Sequence, residues 1–274
     1  MDRPTRGIDH IVIAVKDLEE AGARYERLGF TLTPPAQHPW GTANRLALFT
    51  GRCFLELLAV DRPEVLARHS EALAPRSFDF GRFNQNFLKQ GQGASMLVLT
   101  GNDSRADAAA YANLGGHPPF DFERQATLPD GSSARVAFSL AFASDPGLPD
   151  CGFFTCHNQE PKTFWKPQFQ VHPNGAQTIA ALVMAAPDPA AHSAFLSTFT
   201  GSPAEAAPGG LAFRLGAQEL LVVEPAEIPR LFEGETVTRE GTHLFGLQMM
   251  SDKPGPAVTS SDEACGLAMA WRRP

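Results

Sequence analysis

Short apolar runs alternate along this chain with segments whose apolar residues recur every three or four positions, and the alternation follows a fixed order. Residues 8–15 are rich in β-branched side chains and too short for a buried helix, which predicts a strand covered on both faces. Asp17 can cap the next segment, where Leu18, Ala21, Tyr25 and Leu28 share one face of a helix that Gly29 stops. A short strand near 30–33, a proline-rich loop carrying His38-Pro39-Trp40-Gly41, and strands at 44–49 and 53–60 joined by the Thr50-Gly51 turn complete a βαβββ unit.

The same order then returns, and internal repetition identifies an architecture more surely than any single element. A strand at 94–100, a helix from Asn102-Asp103-Ser104 to Leu114 ended by Gly115-Gly116, and strands at 120–125, 134–142 and 152–157 make a second unit. A third has a strand at 178–184, a helix capped by Asp188 and stopped by Gly201, and strands at 210–215 and 219–223. The fourth keeps first and last strands at 243–250 and 266–271, with a Pro/Gly/Ser-rich stretch between them that leaves no room for a helix. The expected organisation is therefore α+β: a module pair over 1–160 with an insertion at 61–92, a connector at 161–175, and a degenerate second pair over 176–274. The insertion is predicted helical at 63–72 and is unassigned beyond.

Composition narrows the classes. With 274 residues, 43% hydrophobic and 19% charged, the chain has the balance of a globular protein, as one large domain or two lobes. Its longest apolar stretches are strand-sized, which argues against a membrane span, and MDRPTRGIDH lacks the apolar core of a secretory signal, so a cytoplasmic location is expected. A net charge of −7 without any Lys/Arg run argues against a nucleic-acid partner. The cysteines, at 53, 151, 156 and 265, form no CxxC pair, against a zinc site or a disulfide framework.

The tandem units, the opening Asp9-His10-Ile11-Val12-Ile13-Ala14-Val15-Lys16-Asp17 and the strand Cys53-Phe54-Leu55-Glu56-Leu57-Leu58 resemble glyoxalase-like members of the vicinal-oxygen-chelate superfamily. His38 to Leu46, and Trp165 through His172-Pro173-Asn174-Gly175, are similar to recurrent stretches of that subgroup. The resemblance covers nearly the whole chain and implies curved, cup-like mixed sheets, with metal ligands on the first strand (His or Gln) and last strand (Glu) of a unit. His10 and Glu56 match those places. It implies a divalent metal (Zn, Mn, Ni or Fe) and a lyase or isomerase acting on a small substrate with vicinal oxygens, Glu56 serving catalysis. An Fe(II) extradiol-type dioxygenase and a metal-free sequestering protein are the alternatives, because one fold hosts many chemistries. A homodimer also stays open.

The residues themselves bear on this. An imidazole in an apolar strand needs a partner or a ligand, so His10 is either a hydrogen-bonded core histidine or a ligand. Glu56, set among Phe54, Leu55, Leu57 and Leu58, needs a cation if ionised, either a metal or Arg45 of the preceding strand. In the second unit Ser95 or Met96 falls opposite His10, and His157 falls near the place of Glu56. If His157 points inward, His10, Glu56 and His157 form a facial two-His, one-carboxylate set, but strand alternation makes this sensitive to a one-residue register shift. In the third unit Ala181 and Leu221 replace the pair, which assigns any chemistry to the first half. Trp40, Asn44, Arg45, Lys162, Trp165, Lys166 and His172 are candidates for lining a substrate pocket, with His172 equally readable as part of a His-Pro-Asn-Gly turn.

Overall fold

The computed structural model describes residues 6–127, 133–253 and 255–273; residues 1–5, part of the segment read for a secretory signal, lie outside the described residues. The first unit comprises β1 (Ile8–Ala14), α1 (Leu18–Arg27), β2 (Ala36–Gln37), β3 (Thr42–Leu48) and β4 (Phe54–Val60). Helices α2 (Pro63–Ala72) and α3 (Phe80–Phe87) precede the second unit, β5 (Gly93–Thr100), α4 (Ser104–Ala110), β6 (Phe120–Thr127), β7 (Ser133–Ala143) and β8 (Gly152–Asn158). The connector holds α5 (Pro161–Phe164). A third unit follows as β9 (Ala176–Ala185), α6 (Ser193–Thr200), β10 (Glu205–Ala207), β11 (Gly210–Leu215) and β12 (Gln218–Val223). Beyond α7 (Ile228–Leu231), the reduced fourth unit is β13 (His243–Ser251), β14 (Val258–Thr259) and β15 (Ala268–Arg272), without a helix.

Side-chain caps start the helices where expected. Asp17 accepts from the Glu20 amide, Asp103 from the Arg105 and Ala106 amides, and Asp188 from the Ala190 and Ala191 amides of the 3-10 turn Pro189–His192 that leads into α6. Gly201 closes α6 in the left-handed conformation, φ 72°.

Two mixed sheets result, eight strands in the order β2-β3-β4-β1-β5-β8-β7-β6 and seven in the order β10-β11-β12-β9-β13-β15-β14. Within a unit the first strand lies parallel to the last, as β1 to β4 and β5 to β8; the two units of a sheet meet antiparallel, as β1 to β5. Each sheet curls into a half-barrel. Alternation then sends successive side chains to different places. Ile11, Ile13, Leu55 and Phe153 enter a shared core with Leu182, Met184 and Met249 of the second sheet and with Tyr25 and Phe199 from the helices. Val12, Leu58, Met96 and Phe154 face the other, concave side of the first sheet. The concave side of the second sheet is filled by Ile228 and Phe232 against Val183, Ala185 and Phe245. Only the first cup therefore keeps room for a ligand among the cups described.

Two differences from expectation bear on the site. The stretch 30–33 is not a strand: Phe30 is drawn into the core, Thr33 alone donates its amide to Leu46 O at 2.9 Å, and the edge strand forms further on at Ala36–Gln37. The unassigned end of the insertion is α3, capped by Asp79, which accepts from the Arg82 amide.

Candidate functional site

The concave face of the first sheet, α3 and the connector enclose a cavity of about 510 Å³, within the usual range for small-molecule sites. Its walls are aromatic, including Trp40, Phe54, Phe80, Phe122, Phe138 and Phe154. Among its polar groups, His10, His38, Asn44 and Glu56 gather in one place.

The strand geometry explains that gathering. Register pairs Val12 with Glu56 on β4, and Leu46 of β3 with the same Glu56, so that Asn44, Glu56 and His10 turn to one face. The pairing of β1 with β5 shifts between Ile8 and His10, which takes Asp9 out of strict alternation. Asp9 Oδ1 lies 2.6 Å from His10 Nδ1, so Asp9 accepts the Nδ1 proton and leaves Nε2 facing the Glu56 carboxylate, with 3.5 Å between Nε2 and Oε2. The other carboxylate oxygen is held by the Asn44 amide at 2.7 Å, and His38 Nε2 stands 4.0 Å from it. His10 is stacked on Phe54 at 4.3 Å and packed edge-on by Phe154 at 5.6 Å, which fixes the imidazole plane. Burial pushes the Glu56 carboxyl above its ordinary range, with His10 and the Asn44 amide pulling part of the way back.

Of the residues predicted for a site, His10, Trp40, Asn44, Glu56 and Lys166 line this one cavity. Five others, Lys162, His157, Arg45, Trp165 and His172, do not. Val98 pairs with Phe154 as Val12 pairs with Glu56, so the second unit sets Phe154 in the place of Glu56 and Met96 in the place of His10. His157 is three residues further along β8, out of phase with Phe154; it sits opposite Ser139 and is absent from the cavity wall. The expected facial set of His10, Glu56 and His157 is thus not brought together. Arg45 alternates away from Glu56 and turns to α1, where it binds Glu26 at 2.6 Å and the Thr33 carbonyl at 3.1 Å. Trp165 stands behind the wall, against Phe54 and Phe164, with Arg52 over its ring. His172 is a structural residue: Nδ1 accepts from the Thr31 amide at 2.9 Å, Nε2 donates to the Leu48 carbonyl at 2.8 Å, and Gly175 closes the turn at φ 75° by donating to His172 O.

Sequence reading missed three contributors. Asp9 has the plainest signal, a carboxylate directly before a strand histidine. His38 lies in a loop with no periodicity to orient it, and is placed by Thr42 at 2.8 Å and by stacking on Trp40 at 4.6 Å. Phe80 and its neighbours come from α3, whose spacing Phe80, Phe83, Phe87 is helical once Asp79 is taken as a cap.

As a ligand set for a divalent ion the cluster is incomplete. Among the described residues no group of three or more His, Cys, Asp or Glu side chains is arranged to hold a metal. The second unit offers a thioether and a phenyl ring where the first offers His10 and Glu56, and Asn44 already occupies one carboxylate oxygen.

The fold is that of the glyoxalase-like class. The chain belongs to the glyoxalase-like domain family, whose model matches residues 8–200. Among solved structures, a hypothetical protein from Staphylococcus aureus superposes with a TM-score of 0.74 at 13% identity, over 98% of this chain and 99% of that one. A xylose isomerase-like TIM barrel/4-hydroxyphenylpyruvate dioxygenase fusion protein gives 0.53 at 14% identity, over 92% of this chain and 38% of that one. A mutant of 4-hydroxymandelate synthase from Streptomyces coelicolor gives 0.52 at 11% identity, over 91% and 72%. At these identities the likeness is one of fold. No curated protein matches. Among the described residues no helix is long and apolar enough to cross a membrane.

Proposed function

We propose that this protein is a proton-transferring enzyme of the lyase or isomerase kind, acting on a small carbon acid with neighbouring oxygens, and that Glu56 and His10 are its base and acid. The carrying observation is the 3.5 Å approach of His10 Nε2 to Glu56 Oε2 in a cavity whose walls are mostly apolar. That spacing is a loose pairing rather than a close hydrogen bond, so both atoms can reach the same substrate lying to one side of the pair. Asp9 fixes which imidazole nitrogen faces the substrate, and Asn44 fixes which carboxylate oxygen does. A carboxyl raised by burial is a stronger base when ionised, so Glu56 takes the C–H proton, and a His10 that carries a proton on Nε2 as well as the Nδ1 proton held by Asp9 donates to the neighbouring oxygen as it gains charge.

The test is hydrogen–deuterium exchange into a panel of aryl α-hydroxyketones in D2O, followed by proton NMR. Exchange in wild type that falls at least about 100-fold in Glu56→Gln and His10→Ala supports the reading. No exchange, or exchange that survives Glu56→Gln, overturns it. In parallel, protein incubated with Mn(II), Fe(II), Zn(II) or Ni(II) is desalted and its metal counted. Stoichiometric retention that is lost in His10→Ala would replace the metal-free mechanism with the metal-dependent lyase, isomerase or dioxygenase that the sequence resemblance implies. Binding of panel members without exchange or metal would assign the cup to sequestration.

A further inference from the structure

Lys166 is the one lysine or arginine on the cavity wall among the described residues, and Glu56 the one carboxylate. Arginines near this half of the molecule are engaged: Arg45 with Glu26, Arg62 with Asp61, and Arg135 with Glu123 and Glu160. Lys166 is half-buried on the connector, and no carboxylate of the described residues lies within ion-pair distance of its ammonium. A lysine on an apolar cavity wall with no carboxylate partner among the described residues, in a chain of net charge −7, is stabilised by an anion it can meet.

The path from the polar end to Lys166 is paved with rings. His10 stacks on Phe54 at 4.3 Å, Phe54 meets Phe164 at 5.2 Å, and Lys166 follows Phe164 by two residues on the connector. A ligand laid along that path has its reacting atoms to one side of His10 and Glu56, its body against aromatic edges and faces, and its far end toward the connector that carries Lys166. An anionic head has every reason to take that far end, because at the near end it would meet the Glu56 carboxylate. The aromatic walls favour an aryl body through offset and edge-to-face packing.

We propose that the cavity takes aryl-alkyl carboxylates, and that Lys166 selects their carboxylate head. The assignment of the reacting end rests on the acid–base reading above, whereas the charge selection is read from binding alone, so the two fail separately.

The experiment is isothermal titration calorimetry with 4-phenylbutyrate, 4-phenylbutanol and hexanoate on wild type, Lys166→Gln and Lys166→Arg. In wild type phenylbutyrate binds at least about tenfold tighter than phenylbutanol, and tighter than hexanoate. Lys166→Gln removes the preference for the acid while leaving phenylbutanol unchanged, and Lys166→Arg keeps it. Equal affinity for acid and alcohol in wild type, a preference that persists in Lys166→Gln, or no binding of any probe overturns the proposal. Hexanoate binding as tightly as phenylbutyrate overturns its aromatic part. Acid selectivity together with absent proton exchange would sink the acid–base reading and leave this one standing.

Discussion

Phe154 occupies in the second unit the register position that Glu56 holds in the first, each paired across a parallel ladder with a valine of its unit's opening strand, Val98 and Val12. The symmetry of the backbone is kept while the chemistry is confined to one side. His157, three residues beyond, is carried to the opposite face by the pleat.

This separates two carboxylate- and imidazole-bearing strands that look alike in sequence. Glu56→Gln, nearly isosteric, is expected to lower proton exchange by at least about 100-fold, whereas His157→Ala is expected to leave it within about twofold of wild type. NMR-detected exchange rates on the two purified variants check it. A loss in His157→Ala equal to that in Glu56→Gln would mean that β8 presents its other face to the cavity.

Glu56 also links the site to stability. Its carboxyl, raised by burial from the ordinary 4.5, binds a proton more tightly in the folded chain than in the unfolded one. Stability from this group is therefore fully present below 4.5 and is lost as pH rises through the raised value. Glu56→Gln removes the charge, so at pH 7–8 the variant should melt about 1–3 °C higher than wild type while losing exchange activity. The difference should shrink as the pH is lowered toward 4.5. Thermal unfolding of both proteins across that range decides it, and a lower melting temperature for the variant at pH 8 would sink the idea.

How much of this was readable beforehand follows from what each signal depends on. The βαβββ order is written in local features, caps at Asp17, Asp103 and Asp188 and β-branched runs, and the observed elements follow them. His10 and Glu56 were legible because both sit inside regular strands. His157, whose facing is open in the sequence because it depends on register, is turned away from the cavity by its three-residue offset from Phe154. Arg45 and Glu56 are on adjacent strands with opposite phase, which the sequence alone does not reveal. His38 belongs to a loop, whose conformation is set by the contacts it makes with Thr42 and Trp40.

His172 illustrates a buried histidine whose role is to hold two segments together. It links the amide of Thr31 to the carbonyl of Leu48. His172→Ala strands both groups and should cost about 2–4 kcal/mol, seen as a lower denaturation midpoint with unchanged slope. Burial lowers the His172 pKa from 6.5, only partly offset by its bond to Leu48 O, so the unfolded chain takes up the proton first. The stability this residue supplies is present above 6.5 and is lost as pH falls through its lowered value, and the variant should lose that acid-side slope. Ligand affinity in the folded variant should stay within about threefold of wild type, since His172 is not in the cavity wall.

Asn84 pins α3 over the cup. Its side-chain oxygen accepts from Ser95 Oγ at 2.7 Å on β5, its amide donates to the Phe80 carbonyl at 2.9 Å, and it is fully buried. Phe78 and Phe80, which this helix and its lead-in hold over the rings of Phe142 and Phe154, close one side of the cavity. Asn84→Ala leaves the Ser95 hydroxyl with only its long 3.4 Å contact to Val12 O, a change worth about 1–3 kcal/mol. Because that loss falls on one helix, it should appear first as local opening. Amide exchange over 78–88 should accelerate at least about tenfold while exchange in β1 and β5 changes less, and 4-phenylbutanol, which depends on the apolar wall, should bind more weakly. Acceleration spread evenly over both sheets would show instead that Asn84 supports the whole fold rather than the lid of the cup.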